Sequence, residues 1–438
     1  MKKFLAVLLC LVMVAGFAAC GTKPAVTTDP PATEEPVAAG SVYYLNFKPE
    51  ADAAWQELAT AYTAETQIPV KVVTAASGTY NETLTVEMDK SEMPTLFQVG
   101  NKQALDTWGE YCLDLGDSPL YGEMTDTSFT LKDADDVVRG IAYVYESFGI
   151  IVNTALLEKA GYKLADITNF ETLKTIVEDI TARKTELGFS AFTSAGLDGS
   201  SSWRFSGHLT NMPLFYECRD DAVVEQPATI KGTYLENYKN IWDLYINNGT
   251  CAASDLTAKT GDESEAEFGK GEAVFYQNGS WEYANLTDPA KFAMDPATLA
   301  MIPIYCGVEG EEKAGLCNGT ENFWAVNSKA APEDIQATLD FLYWVVTSET
   351  GTTALADTMG FVSPFKMAKA PANVFLAQAN EYAAAGNYSV TWAFNFTPNV
   401  DEWRAGVVAA LTQYSAGGAW DDVVTAFVGG WETQFKNQ

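Results

Sequence analysis

Hydrophobic residues recur with the spacing of strands and helices along the chain. Residues 42–47 are nearly all apolar and predict a β-strand, while Trp55 and Tyr62 share one face of a helix predicted over residues 51–65. A second apolar run at residues 68–73 predicts another strand. A strand, a helix and a strand in succession favour a parallel sheet with helices packed on its faces.

Two later helices are marked by the residues that begin them. Thr168 and Glu171 have the spacing of a capping box, in which two side chains satisfy free backbone amides at a helix start. Pro332 is followed by two acidic residues and predicts the first turn of another helix, where proline costs no hydrogen bond and negative charge is favoured. We therefore expect an α/β protein.

The first 20 residues have the pattern of an export signal. Two lysines precede an apolar run over residues 4–17, which is short for a membrane-spanning helix. Phe17-Ala-Ala-Cys20 resembles a bacterial lipobox, in which Cys20 carries the lipid and becomes the first residue of the mature chain. We expect a signal peptide over residues 1–19. The alternative is an ordinary signal peptide cut after Ala19.

Residues 20–40 predict a flexible spacer after that anchor. Residues 22–40 contain four prolines, four threonines and no aromatic side chain, so they have too little apolar surface to form a core. A lipid anchor, a spacer and a large acidic domain describe a protein held at the outer face of a bacterial cytoplasmic membrane.

Length and charge narrow the function further. The chain has 438 residues, enough for two or three domains, and its 58 acidic and 27 basic residues give a formal net charge of −31. Binding to nucleic acid through phosphate contacts needs clusters of lysine and arginine, so this function is excluded. His208 is the only histidine, which leaves little scope for histidine-based catalysis or metal binding. We expect no metal and no cofactor.

Five cysteines remain once Cys10 in the signal peptide and Cys20 are set aside. An odd number leaves at least one thiol unpaired. The last two flank a turn rich in glycine and glutamate, so a disulfide across a hairpin and two buried free thiols are both open interpretations. The five are Cys112, Cys218, Cys251, Cys306 and Cys317.

Five segments, in their order along the chain, carry a resemblance to a known family. They are residues 44–73, 91–101, 140–153, 268–281 and 318–327. The fourth has the sequence FGKGEAVFYQNGSW and the fifth NGTENFWAVN. Together they resemble the extracellular solute-binding proteins of ABC importers, specifically the carbohydrate-binding family that includes maltose-binding protein.

That resemblance implies an α/β protein with the type II periplasmic-binding-protein fold, in which two discontinuous lobes are joined by a hinge. It places one lobe at residues 41–147 and 299–349, and the other at residues 150–297 and 353–438. It also implies a ligand in the cleft between the lobes, closure by hinge motion and delivery to ABC permease subunits in the membrane. We expect a monomer that binds a sugar or oligosaccharide and catalyses no reaction.

A sugar-binding cleft needs flat rings against the sugar faces and paired polar groups for the hydroxyls. Glu146 lies in an apolar run of the expected hinge strand, where the family has a ligand-contacting carboxylate. Trp281 follows the Asn-Gly-Ser turn at residues 278–280, and the family stacks this tryptophan on sugar. Trp203 follows a serine-rich loop and is a third candidate. His208 lies one helical turn further on, although a lone histidine is more often structural.

The resemblance and the supply of aromatic rings add further candidates. In the first lobe these follow the first and third strands or lie in the Ser-Gly-Thr-Tyr and Asn-Gly-Thr-Glu segments, and the others lie in the last segment of the chain. For each of them the alternative is packing in a core, the commonest position of large aromatic side chains. These candidates are Phe47, Lys48, Tyr80, Asn101, Glu321, Trp392 and Trp403.

Two other functions stay open at this point. A binding protein for a polyamine or a peptide would also combine acidic and aromatic residues. A surface-tethered glycoside hydrolase would find its two carboxylates among the 58 acidic residues, although the sequence singles out no pair. No Walker A, EF-hand, Rossmann or G-x-S-x-G motif occurs, and we assign no catalytic residue.

Overall fold

The computed structural model describes residues 40–194 and 196–438. Within these ranges the chain forms two sheets connected and covered by helices, as the alternating strand and helix patterns predict. The strands are β1 (Val42–Asn46), β2 (Val70–Thr74), β3 (Leu96–Val99), β4 (Thr130–Lys132), β5 (Val138–Ile141), β6 (Glu146–Asn153), β7 (Ser190–Phe192), β8 (Ala273–Gly279), β9 (Leu299–Ile302), β10 (Ala314–Gly319), β11 (Phe323–Val326) and β12 (Tyr388–Thr391).

α-Helices lie between the strands and pack against both sheets. They are α1 (Asp52–Thr66), α2 (Tyr80–Met88), α3 (Leu105–Trp108), α4 (Pro119–Gly122), α5 (Thr154–Lys159), α6 (Phe170–Ala182), α7 (Lys184–Leu187), α8 (Thr210–Asp220), α9 (Leu235–Asn247), α10 (Gly261–Gly269), α11 (Glu282–Thr287), α12 (Pro332–Thr347), α13 (Glu349–Thr353), α14 (Val374–Ala384), α15 (Val400–Ser415), α16 (Trp420–Val424) and α17 (Gly430–Asn437). None of these described helices combines the length and the apolar character needed to span a bilayer.

The two sheets differ in strand order. The first sheet has the order β2-β1-β3-β11-β5-β4, and β1 pairs in parallel with both β2 and β3. This pairing confirms the parallel opening predicted from residues 42–73. The second sheet has the order β12-β10-β6-β8-β7, and β9 also pairs with β6. All residues of β6 are buried, so its apolar run, Phe148 to Val152, covers both faces of the strand.

The two predicted helix starts have different outcomes. Pro332 is the first residue of α12, as predicted. The capping box before α6 lies one residue later than the one predicted at Thr168 and Glu171. Its cap is Asn169, whose side-chain oxygen accepts a hydrogen bond from the Thr172 amide at 3.0 Å, while the Thr172 hydroxyl accepts from the Asn169 amide at 3.1 Å. Asparagine caps a helix as well as threonine does, so the pattern of residue types was ambiguous here.

Each sheet has hydrophobic cores of its own. In the first, Trp55, Tyr143 and Trp324 are fully buried, and the last two are stacked with ring centres 4.5 Å apart. In the second, Trp403 and Trp431 are fully buried. None of the hydrophobic clusters formed by the described residues mixes side chains of the two sheets. We call the first sheet with its helices the first lobe, and the second sheet with its helices the second lobe.

The pairing of strands departs from the boundaries expected for the lobes. β9 and β10 pair with β6 in the second sheet, whereas residues 299–349 were expected in the first lobe. Phe365 packs in a core of the first lobe, whereas residues 353–438 were expected in the second. Strand pairing and core packing therefore support a revised division, which we propose as residues 42–145 and 323–365 for the first lobe and 146–319 and 374–438 for the second.

The predicted signal peptide, the lipidated Cys20 and nearly all of the spacer lie outside the described residues. The five cysteines of the folded part are free thiols, including Cys306 and Cys317. Burial raises the pKa of Cys306 well above its usual value, and Cys317 Sγ lies 3.7 Å from Met212 Sδ. Both thiols therefore act as small apolar side chains, and the disulfide interpretation is wrong for this structure.

Candidate ligand-binding site

The chain crosses between the lobes at neighbouring places. β5 ends in the first sheet and β6 begins in the second, while β10 ends in the second sheet and β11 begins in the first. Glu146 pairs with Gly319, so the crossing segments, residues 142–145 and 320–322, leave the second sheet side by side. Polar groups on these segments lie where both lobes meet.

An ion pair joins the end of β1 to the start of β6. Lys48 Nζ lies 2.8 and 3.0 Å from the two carboxylate oxygens of Glu146, and 3.5 Å from an oxygen of Glu50. Only 7% of the Lys48 side chain and 5% of the Glu146 side chain are exposed. Asn46 positions Lys48 by donating to its carbonyl at 2.8 Å and accepting from its amide at 3.1 Å. Separating the lobes here would leave Glu146 without a partner and Lys48 with Glu50 alone.

Burial and charge act in opposite directions on this pair. Burial raises the pKa of Glu146, and the positive charge of Lys48 opposes that rise. For Lys48, burial lowers the pKa, but the negative charges of Glu146 and Glu50 outweigh it, so the pKa of Lys48 is raised. Lys48 is therefore an ammonium ion at neutral pH.

Three aromatic rings surround this ammonium ion. Its nitrogen lies 5.9, 5.7 and 5.7 Å from the ring centres of Phe47, Trp281 and Phe361, within the range of cation–π attraction. Trp281 follows β8, and its ring folds back over Gly279, where a Cβ atom would lie only 2.2 Å from the ring. The Asn-Gly-Ser turn thus sets the position of Trp281, as its sequence suggested.

The second lobe presents a group of rings that we call the ring wall, namely Phe148, Trp203, His208 and Trp281. Phe148 and His208 are stacked with ring centres 3.9 Å apart. Trp203 and Trp281 lie 4.9 and 5.4 Å from the His208 ring, and 6.0 Å from each other. Both tryptophans are half-buried. Half-buried rings at a lobe boundary are suited to contact the C–H faces of a sugar.

His208 is an uncharged member of the ring wall. It lies on a π-helical turn, Arg204–Leu209, which precedes α8. The side-chain nitrogen of Gln277 lies 3.0 Å from its Nδ1. Burial lowers the pKa of His208 well below its usual value, and the charges of Arg204 and Arg404 lower it further. π-Turns are frequent at functional sites, and this one brings a neutral imidazole beside two tryptophans.

Beside the ring wall lies a polar cluster that consists of Arg204, Tyr276, Asn278 and Glu282. The Tyr276 hydroxyl accepts from Arg204 Nη2 at 3.2 Å and from the Asn278 amide at 2.6 Å, and the same amide lies 2.7 Å from Glu282 Oε1. Arg204 Nε and Nη1 and Glu282 Oε2 are buried without a hydrogen-bond partner in the described part of the chain. Each such group costs about 1–3 kcal/mol, so the cluster is incomplete as a purely structural feature.

Two further carboxyl groups at the boundary have raised pKa values. Burial raises the pKa of Glu282 to about 8; Glu265 and Glu50 add to this rise, and Arg204 opposes it. Burial also raises the pKa of Glu321 on the second crossing segment, where Arg404 opposes the rise. Carboxyl groups that lose their hydration in this way gain from a ligand that hydrogen-bonds to them.

The lobes also touch directly. The Ser77 hydroxyl donates to the Ser200 carbonyl at 3.0 Å, and the Asn81 amide donates to Asp401 at 2.6 Å. Between these contacts Gly78 adopts a φ of +75°, and a Cβ atom there would lie 2.8 Å from a carbonyl oxygen of the second lobe. The structure is therefore a closed arrangement of the two lobes.

Most of the residues predicted for the site lie together at this boundary. Asn101 donates weakly across it to the Asn395 carbonyl, at 3.5 Å. Trp392 packs behind the ring wall, with its ring 5.5 Å from Phe148. A role in ligand binding stays a prediction for all of them. The residues brought together are Phe47, Lys48, Asn101, Glu146, Trp203, Trp281, Glu321 and Trp392.

Two predicted residues point elsewhere. The Tyr80 hydroxyl is used inside the first lobe, where it accepts from the Gln98 amide at 2.6 Å and donates to the Leu45 carbonyl at 3.3 Å. Trp403 is 1% exposed, and its Nε1 donates to the Phe427 carbonyl at 2.9 Å in the core of the second lobe. The structure does not bring either side chain to the ring wall.

Sequence reasoning missed several residues of this region. Arg204 and Glu282 each directly follow a candidate tryptophan, so a charged residue after a tryptophan was a usable signal. Phe148 and Gln277 lie within strand-like runs and carry no such mark. Arg404 directly follows Trp403 on α15 and was not singled out. Its guanidinium carbon lies 5.5 Å from the ring centre of Phe394.

The boundary brings together several kinds of group that bind small molecules. In the described part of the chain, no three histidine, cysteine, aspartate or glutamate side chains are grouped so that they could hold a metal ion. The boundary offers ring faces, a buried ammonium ion, guanidinium groups and carboxyl groups, a combination suited to the polar and apolar parts of one small molecule.

Comparison with known proteins identifies the family. A model of the bacterial extracellular solute-binding protein family matches residues 57–384, which are 328 of the 438 residues. The chain belongs to this family. The resemblance carried by the five sequence segments is thereby confirmed. A comparison with curated protein sequences finds no match.

Solved structures of other solute-binding proteins share the fold. RafE in complex with raffinose has a TM-score of 0.71 at 17% identity, over 91% of this chain and 99% of that one. A chitin oligosaccharide binding protein has a TM-score of 0.73 at 15% identity, with the same coverage. A sugar transporter from Bacillus licheniformis in complex with stachyose has a TM-score of 0.67 at 16% identity, over 90% of this chain and 100% of that one. The predicted two-lobed type II fold is confirmed.

Proposed function

We propose that this solute-binding protein binds a sugar or an oligosaccharide between its lobes and delivers it to the permease of an ABC importer. The observation that carries the proposal is the ring wall of the second lobe, which meets the Lys48–Glu146 pair where the chain crosses between the lobes. The rings suit the C–H faces of a sugar, and the charged groups suit its hydroxyls.

Related structures support the ligand class without fixing it. The proteins named above were solved with raffinose or stachyose, or are named for chitin oligosaccharide. At 15–17% identity these structures establish the fold. The choice of a sugar as ligand therefore depends on the residues of this chain. Sugar binding is favoured here because Trp203 and Trp281 are half-buried beside buried hydrogen-bonding groups.

Binding in this site is coupled to closure of the lobes. Lys48 and Phe47 belong to the first lobe, whereas Trp281 and the rest of the ring wall belong to the second. A ligand held by both sets gains its full contacts only when the lobes are closed, so it shifts the population toward the closed state. The crossing segments at residues 142–145 and 320–322, together with the third crossing at residues 366–373, are the proposed hinge.

We assign this protein no reaction. Both oxygens of Glu146 are hydrogen-bonded to Lys48, which makes this carboxylate a poor acid or base for glycoside cleavage. The cellular setting proposed here is the outer face of the cytoplasmic membrane, with a monomeric chain anchored through a lipid on Cys20. The family itself is extracellular, which agrees with that setting.

A ligand screen tests this function. The melting temperature of the purified chain is measured with sugars, oligosaccharides, peptides and polyamines, because a ligand that binds the folded state raises it by mass action. We expect an oligosaccharide to raise it, with no new product detected by chromatography after incubation. Cleavage of the sugar would point to a hydrolase, and a shift with peptides alone would contradict the proposal.

A further inference from the structure

Glu282 is a buried glutamate at the start of α11. Its residue is 7% exposed, and among the described residues it takes part in no ion pair. Oε1 accepts from the Asn278 amide at 2.7 Å, whereas Oε2 has no hydrogen-bond partner. A buried carboxyl oxygen without a partner is stabilised by a hydrogen-bond donor, and charged donors stabilise it most.

Carboxyl groups outnumber cationic side chains around the buried glutamates at the lobe boundary. The charges that act most strongly on the buried glutamates at the lobe boundary are six carboxyl groups and four cations. Glu282 itself keeps its proton at neutral pH, because burial raises its pKa to about 8, and a cationic ligand beside it would favour the ionised form. The carboxyl groups are Glu50, Glu146, Asp262, Glu265, Glu282 and Glu321, and the cations are Lys48, Arg204, Lys291 and Arg404.

The adjacent rings already attract cations of the protein itself. Lys48 Nζ lies 5.7 Å from the ring centre of Trp281, and the guanidinium carbon of Arg204 lies 4.8 Å from that of Trp203. Glu282 directly follows Trp281 at the start of α11. A ring face next to an unpartnered carboxylate oxygen is the combination that binds an organic ammonium ion.

We propose that the ligand carries a protonated amine and that Glu282 Oε2 accepts a hydrogen bond from this amine beside Trp281. The inference rests on the proposed cleft function and narrows its ligand to an amino sugar. A polyamine is the other source of the same chemistry. Arg204 Nε and Nη1, which are buried without a partner among the described residues, would donate to oxygen atoms of the ligand.

The test compares amines with their hydroxyl analogues. Binding to the purified full-length chain is measured by calorimetry for glucosamine and glucose, galactosamine and galactose, the β-1,4-linked glucosamine trimer and cellotriose, and spermidine. We expect an amino sugar to bind at least about tenfold more tightly than its hydroxyl analogue, as one charge-assisted hydrogen bond allows. Glu282→Gln should abolish this preference, and Glu272→Gln, an exposed control in the same lobe, should keep it.

The outcomes of this comparison separate the amine inference from the proposed sugar binding. Equal affinity for amine and hydroxyl analogues would overturn the amine inference and leave sugar binding standing. Binding of spermidine alone would support the amine and remove the sugar function, and binding of none of these compounds would count against both. If Glu282→Gln does not fold, titration of the wild-type chain in two buffers of different ionisation enthalpy gives the answer. An amine next to Glu282 should release a proton at pH 7, and an absence of release would contradict the proposal.

Discussion

The protein contains two groups of large aromatic rings with different surroundings. In the first lobe, Trp55, Tyr143 and Trp324 are fully buried and pack against each other within a core. In the ring wall of the second lobe, Trp203 and Trp281 are half-buried and contact charged groups at the lobe boundary. The same residue types thus stabilise the fold in one place and leave surface for a ligand in the other. Exposure and charged neighbours distinguish the two, and residue type does not.

The largest expected effect separates the two groups by stability. Trp324→Ala removes a stacked, fully buried ring, so we expect the free energy of unfolding to fall by about 3–5 kcal/mol in urea denaturation. Trp281→Ala removes a half-buried ring and should cost about 1 kcal/mol. Equal losses in the two variants would show that the ring wall is an ordinary core.

The ion pair beside the ring wall provides the next effect. Lys48→Met leaves Glu146 buried and unpaired, so we expect the free energy of unfolding to fall by about 3 kcal/mol. The double variant Lys48→Met/Glu146→Gln removes both charges and should recover most of this loss. If the double variant is no more stable than the single one, Lys48 contributes through packing and the pair does not hold the lobes together.

The ring wall also differs from the first-lobe core because a buried carboxyl group, that of Glu282, lies next to it. The pKa of Glu282 is about 8 in the folded chain, against about 4.3 for an unfolded glutamate. Between these values the folded chain keeps a proton that the unfolded chain has lost, so stability falls as pH rises and levels off above pH 8. Glu282→Gln should reduce this fall, by at most about 1.4 kcal/mol between pH 6 and 7. Glu272→Gln should leave it unchanged, and an unaltered profile in Glu282→Gln would refute the assignment.

The smallest effect concerns affinity. Trp281→Ala should weaken binding of the tightest sugar from the screen by about 1 kcal/mol, which is about fivefold, because ring contacts of this kind contribute on that scale. Trp403→Phe, a conservative change in the core of the second lobe, should leave the affinity unchanged. Calorimetric titration of both variants measures this, and equal affinities in the wild type and Trp281→Ala would exclude stacking on this ring.

The sequence predicted local structure better than long-range contacts. Periodicity identified β1, α1 and β2, and proline identified the start of α12, because these signals depend on neighbouring residues. The capping box was misplaced by one residue because asparagine and threonine compete for the cap. The lobe boundaries near β9 could not be read from the chain, because the choice of sheet depends on pairing with β6, about 150 residues earlier.

The same limit applies to the candidate site. Glu146 and Trp281 were predicted from motifs, and Lys48 Nζ contacts both of them. No local pattern indicates that Lys48 pairs with a carboxylate 98 residues away. Trp403 looks like a site residue in sequence, but its indole N–H is used within the core. Burial and partner choice are properties of the folded chain, and they separate site rings from core rings.

The most direct test of sugar binding between the lobes is a crystal structure of the protein with the sugar from the screen that binds most tightly. We expect a sugar ring against Trp281, between the lobes, with its hydroxyl or amino groups within hydrogen-bond distance of Lys48, Glu146 or Glu282. A sugar bound outside the boundary between the lobes, with the ring wall free of contact, would contradict it.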